Sequence, residues 1–96
     1  MTELTLVSKQ ARPLRPLVEA ALANELRLVT AAIYQTEQRL REFEAAYDMT
    51  TIEFVARFEN DELEETLEFV EWIGESRLLA HLQEKADTFR GIEFEN

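Results

Sequence analysis

The sequence predicts an all-α fold, and three observations lead to this prediction. Glycine and proline number two each among 96 residues, too few for the many tight turns of an all-β chain. Residues 17–47 contain neither, and good helix formers dominate them. A second stretch rich in helix formers runs to Arg90. We therefore expect one small helical domain, 1–96, in which residues 1–15 form an N-terminal arm that is either flexible or strand-like.

The first helix is predicted over residues 17–47, with Pro16 near its start, where a missing backbone N–H costs little. Apolar or semi-polar side chains recur along it with alternating spacings of four and three, which is a heptad pattern. This seam consists of Leu22, Leu26, Val29, Ile33, Thr36, Leu40, Phe43 and Tyr47. A helix of this length measures about 45 Å, so it needs an equally long neighbour.

A short second helix is predicted over residues 51–59. Thr50 and Glu53 have the spacing of a capping box, in which Thr50 is the N-cap and the Glu53 side chain returns to its backbone N–H. Met49 and Phe54 stand at the two positions of a hydrophobic staple. The Asn-Asp pair that follows residue 59 is expected to break or bend the helix.

A third helix is predicted over residues 62–90, and Gly91 stands where a left-handed residue often ends a helix. Its apolar stripe, which begins with Leu63, Leu67 and Val70, moves round the helix by more than about 100° near Gly74. Either the helix bends there, or its two halves face different neighbours.

We expect the helices over 17–47 and 62–90 to pack antiparallel, with the short helix at the corner. A two-helix hairpin has little core, so the heptad seam predicts a homodimer that forms a helical bundle. The residues assigned to this dimer seam are Leu22, Leu26, Val29, Ile33, Leu40 and Phe43.

The formal net charge is −10, and its distribution is uneven. Residues 42–75 hold twelve acidic residues and one basic residue. This block is either a solvated face that keeps the protein soluble or a surface that attracts a basic partner. Nucleic acid would be repelled, except through the small basic arm that contains Lys9, Arg12 and Arg15.

The sequence contains no pattern of catalytic or metal-binding residues that would predict an enzyme, a metal site or a cofactor. His81 is the one histidine, and it has no glutamate three or four residues before it. We therefore expect a structural or surface role for His81. Trp72 is either a packing residue or an anchor at an interface, where tryptophan is favoured.

The chain contains no run of about 18 apolar residues and no signal-peptide pattern at its N-terminus. It also contains no cysteine, which fits a reducing compartment. We therefore expect a cytoplasmic protein without a membrane-spanning segment.

Residues 47–72 read YDMTTIEFVARFENDELEETLEFVEW. This stretch resembles short acidic prokaryotic antitoxins of type II toxin–antitoxin pairs, in which a long helix is followed by a turn, a short helix, an acidic link and a final helix with Glu-Trp. The matching positions are Tyr47, Met49, Thr50, Glu53, Phe54, Arg57, Phe58, Leu63, Phe69, Glu71 and Trp72. The link differs, because Asn60 and Asp61 stand where a glycine is often found. The resemblance implies an intracellular chain that binds and neutralises a toxin, often an RNase, encoded beside it.

Two hypotheses about function follow. In the first, an antitoxin-like protein covers a basic toxin with an acidic and apolar helical surface. The residues assigned to this partner-binding surface are Glu64, Glu68, Glu71, Trp72, Phe69 and Ile73. In the second, the chain is a self-assembling structural or adaptor bundle without a toxin partner.

Overall fold

The computed structural model describes residues 14–92, and these form three helices without a strand. Helix α1 spans Arg15–Tyr47, α2 spans Thr51–Glu59 and α3 spans Leu67–Arg90. The all-α prediction is therefore confirmed, as are the bounds of α2. The predicted N-terminal arm, apart from its last two residues, lies outside the described residues.

Helix α1 ends where the backbone turns left-handed at Asp48, with a φ of 51°. Aspartate tolerates this conformation better than most residues do. The backbone N–H groups of Asp48 and Met49 both donate to the Glu44 carbonyl, which closes the last turn. Only residues 48–50 therefore separate α1 from α2, which begins at Thr51.

Helix α2 begins at the predicted cap. The Thr50 hydroxyl accepts a hydrogen bond from the Glu53 backbone N–H at 3.1 Å. The Glu53 carboxylate, however, accepts from Arg57 at 2.9 Å, so it does not play its predicted part in the capping box. Another carboxylate helps from α1, since Glu44 accepts from the Thr51 backbone N–H at 2.7 Å.

The third helix begins at Leu67, five residues later than the predicted start at 62. Asp61 adopts a left-handed φ of 56°, which ends the helical path after α2. Thr66 then caps α3, because its hydroxyl accepts from the Phe69 backbone N–H at 3.1 Å. The end at Arg90 agrees with the prediction, but Gly91 is not left-handed, since its φ is −81°.

Helices α1 and α3 pack antiparallel, as predicted. The Lys85 ammonium lies 3.5 Å from the Glu25 carboxylate, at the open end of the hairpin. Further along, Arg39 pairs with Glu75 at 3.2 Å. The residue number falls along one helix as it rises along the other, so the two helices run in opposite directions.

The core lies at the closed end of the hairpin, where all three helices meet. Its buried members are Leu40, Phe54, Trp72 and Ile73. The Trp72 ring lies parallel to the Phe54 ring with 3.8 Å between centroids, and it stacks on Phe43 at 5.4 Å. The Trp72 indole N–H donates to the Thr51 hydroxyl at 3.1 Å, which satisfies its one polar group.

The heptad seam of α1 packs against α3 of the same chain. Val29, Thr36 and Leu40 are buried, while Leu22, Leu26, Ile33 and Phe43 are half-buried. The seam is therefore largely covered within one chain, so it is not free to form the interface that the dimer prediction assigned to it. A dimer therefore remains a prediction, but it needs a different surface.

The apolar face of α3 changes direction along the helix, as the sequence predicts, and α3 continues through Gly74. Before Gly74, Trp72 and Ile73 are buried beside α2 as well as α1. After it, Leu82 and Ala86 face inward along a different side. The two halves of α3 thus have different neighbours. The stripe predicted for the first half is wrong at two positions, because Leu67 is 75% exposed and Val70 is 51% exposed.

Candidate binding groove

An open groove of about 750 Å³ runs between α1 and α3, near the closed end of the hairpin. Each of the two helices contributes four residues to its walls. The lining residues are Arg39, Glu42, Phe43, Ala46, Glu68, Glu71, Gly74 and Glu75. We call this feature the acidic groove.

The floor of the acidic groove is apolar. Phe43 forms part of it and is held in place by its stack on the buried Trp72 ring. Gly74 is exposed, and a Cβ added there would meet no atom within 4 Å. The glycine is therefore not required by tight packing, and it leaves this wall of the groove open.

The rim carries four carboxylates and one guanidinium group. Glu42, Glu68 and Glu71 are exposed. Glu75 lies deeper, with its side chain 20% exposed, and one of its oxygens pairs with Arg39. Its other oxygen, Oε2, is buried and has no hydrogen-bond partner within residues 14–92. The local charge is thus strongly negative, and three of the four carboxylates are exposed to a cation that enters the groove.

The Tyr47 hydroxyl donates a hydrogen bond to the carboxylate of Glu68, one of the residues that line the groove. This hydrogen bond raises the pKa of Tyr47 above its ordinary value of 10.0, with smaller contributions from desolvation and from the negative charge of Glu68. Because the pKa of Tyr47 is raised in the folded state, the Tyr47–Glu68 hydrogen bond stabilises the fold below pH 10.0. This contribution is lost as the pH rises through the pKa of Tyr47 in the folded state.

This contact gives a titration prediction. In a Tyr34→Phe background, Tyr47 is the remaining tyrosine, and its tyrosinate absorbance should titrate above pH 10.0. Glu68→Gln removes the charged acceptor, so we expect the midpoint to move down. An unchanged midpoint in Glu68→Gln would show that the two side chains do not interact in solution.

The structure separates the six residues assigned to partner binding. Glu68 and Glu71 line the acidic groove, whereas Glu64 is exposed on the connection before α3 and does not line it. Phe69 is half-buried and packs against the core. Trp72 and Ile73 are core residues, exposed by 0% and 6%, so their assignment to a partner-binding surface is corrected.

Sequence reasoning missed the part of the groove that comes from α1. In the sequence, Glu42 is one of twelve acids in residues 42–75, and Phe43 is a seam residue. The predicted antiparallel packing of α1 and α3 could have revealed this part of the groove, because it places Glu42 opposite the glutamates of α3. His81 is exposed, and no three groups able to hold a metal ion come together within residues 14–92.

The basic arm is only partly described. Lys9 and Arg12 lie outside residues 14–92, while Arg15 begins α1 and pairs with Glu19 at 2.8 Å. Of the helices in the described part of the chain, none is long and apolar enough to cross a membrane.

Comparison with known proteins adds no relative. No family model matches the chain, and neither a curated protein nor a solved structure is significantly similar to it.

Proposed function

We propose that this protein is an antitoxin-like binding protein, which uses the acidic groove to hold a basic segment of a partner protein. The observation that supports the proposal is the coincidence of an apolar floor and a carboxylate rim in one groove between α1 and α3. The resemblance of residues 47–72 to antitoxins supports the same class, with a basic toxin, such as an RNase, as the partner.

The charge of the rim favours an arginine-bearing or lysine-bearing partner. Twelve acids and one base in residues 42–75 create a negative field that attracts a basic protein from a distance. At close range, a guanidinium group can bind a carboxylate through two parallel hydrogen bonds. The exposed carboxylates of Glu42, Glu68 and Glu71 are accessible acceptors for such a donor.

The apolar floor contributes to affinity through the burial of apolar surface, which charge alone does not provide. Exposed ion pairs contribute little, about 0–1 kcal/mol each, so a purely acidic surface would bind weakly. Burial of Phe43 and Ala46 beneath the stems of basic side chains removes apolar area from water. The groove therefore combines attraction at long range with contact area at short range.

The experiment compares two triple reversals that change the net charge equally. Glu42, Glu68 and Glu71 become lysine in the groove variant, and Glu62, Glu64 and Glu65 become lysine in the connection variant. Each is co-expressed with the basic protein encoded beside this chain, and growth rescue and co-purification are scored. We expect the groove variant to lose both, while the connection variant keeps both.

Circular dichroism first establishes that both variants fold, which we expect because all six side chains are exposed. Rescue by the groove variant as good as the wild type would overturn the proposal. The adaptor-bundle alternative predicts a different result, in which neither variant affects growth and the adjacent product does not co-purify even with the wild type.

A further inference from the structure

Helix α1 carries a second regular row of residues on the side opposite α3. The row repeats with alternating spacings of three and four, and all of its members are exposed. We call it the outer row, and it consists of Leu17, Ala20, Asn24, Arg27, Ala31 and Tyr34. It is offset by two residues from the seam, which corresponds to about 200° round the helix. Packing against α3 therefore leaves it uncovered.

Most exposed side chains around the outer row are apolar, and its polar members are Asn24 and Arg27. Leu17, Leu28 and Tyr34 are exposed by 62%, 57% and 63%. Residues 17–34 contain only three charged side chains, and one of them, Glu25, already pairs with Lys85 of α3. An exposed helix face with several large apolar side chains and few charges normally packs against a neighbour. One neighbouring helix covers only half of this one.

We propose that a second copy of this chain covers the outer row, with the two α1 helices antiparallel and related by a two-fold axis between residues 25 and 26. This arrangement makes the row complementary to itself, as a two-fold interface requires. Each pair takes one residue from each copy: Leu17 meets Tyr34, Ala20 meets Ala31, and Asn24 meets Arg27.

The polar pair at the centre suits this register. Within one chain, the Arg27 Nη2 donates to the Asn24 Oδ1 at 2.6 Å. A guanidinium group has five N–H donors, so Arg27 has donors left for Asn24 of the other copy. The alanine pair on either side allows the helices to approach closely. A parallel pairing would instead place Arg27 against Arg27, which is repulsive.

The distribution of charge selects the same orientation. Tyr47, at the acidic end of α1, lies about 21 residues from the axis, which is about 32 Å along a helix. An antiparallel dimer therefore holds its two acidic ends about 65 Å apart, far beyond the screening length of about 8 Å. A parallel dimer would bring two blocks of twelve acids together. A basic partner would be attracted to those blocks rather than to the nearly neutral residues 17–34.

Cross-linking tests the orientation cleanly, because the chain has no cysteine. Ala20→Cys alone and Ala31→Cys alone should form no disulfide, since each residue would lie about 16 Å from its own copy across the axis. A mixture of the two variants should form a disulfide-linked dimer. Self-linking by either variant alone, or no link in the mixture, would overturn the proposal.

Light scattering tests whether the outer row forms the dimer interface. We expect the wild type to be a dimer at micromolar concentration, and Tyr34→Asp to raise its dissociation constant at least about tenfold while helicity is unchanged. Leu67→Asp is the matched control, since it places the same charge at an exposed apolar residue outside the outer row. A monomeric wild type, or a Tyr34→Asp dimer as tight as the wild type, would contradict the proposal. Both results are independent of whether the acidic groove binds a toxin.

Discussion

Replacing Trp72 by alanine is expected to destabilise the domain by about 3–5 kcal/mol. Trp72 is fully buried, and its ring stacks on Phe54 and Phe43, which come from two different helices. Its removal leaves a cavity at the one place where all three helices meet. A domain of this size is stable by only about 5–15 kcal/mol, so much of that stability would be lost.

Two controls separate stacking from hydrogen bonding and from surface effects. Trp72→Phe keeps an aromatic ring but loses the N–H that donates to Thr51, so we expect a smaller loss of about 1–3 kcal/mol. Leu67→Ala should change stability little, because Leu67 is 75% exposed. Urea unfolding followed by circular dichroism measures all three. A Trp72→Ala midpoint equal to that of Leu67→Ala would show that Trp72 is not in the core.

Replacing Ile33 by aspartate is expected to separate α3 from α1, at a cost of about 3 kcal/mol or more. Ile33 belongs to the seam that packs against α3, where a carboxylate would be half-buried without a partner. The neighbouring change Tyr34→Asp makes a direct comparison, because Tyr34 points to the opposite side and is 63% exposed.

The measurement is thermal unfolding at one protein concentration well above, and one well below, the dimer dissociation constant. Ile33→Asp should lower the melting temperature at both concentrations, since it damages packing within one chain. Tyr34→Asp should only abolish the dependence of the melting temperature on protein concentration that we expect for the wild type. If Ile33→Asp melted like Tyr34→Asp, the seam would be an interface between chains and the assignment of α3 as its neighbour would be wrong.

Local signals in the sequence account for most of the helix bounds. Thr50 predicted the start of α2 because a hydroxyl three residues before a free N–H is sufficient to cap a helix. The same chemistry at Thr66 starts α3, but the run of glutamates before it resembles helix so closely that the prediction began at 62. Propensity alone does not distinguish a capped start from an uncapped run of good helix formers.

Burial was harder to predict than helix position. The heptad seam of α1 was found, but a periodic pattern does not say whether its neighbour is the same chain or another. Trp72 became a core residue because α2 folds over the first half of α3, which no property of α3 alone reveals. The acidic groove depends on the same tertiary step, because Glu42 and Glu71 come from helices that meet only after the hairpin closes.

The dissociation rate of the complex with the proposed partner, a basic protein encoded beside this chain, tests the central claim most directly. The groove and connection triple reversals carry the same net charge, so both should slow association similarly through the loss of long-range attraction. Only the groove variant loses contacts within the complex, and we expect its dissociation rate to rise at least about tenfold over that of the connection variant. Equal dissociation rates for the two variants would contradict the assignment of the acidic groove as the binding site.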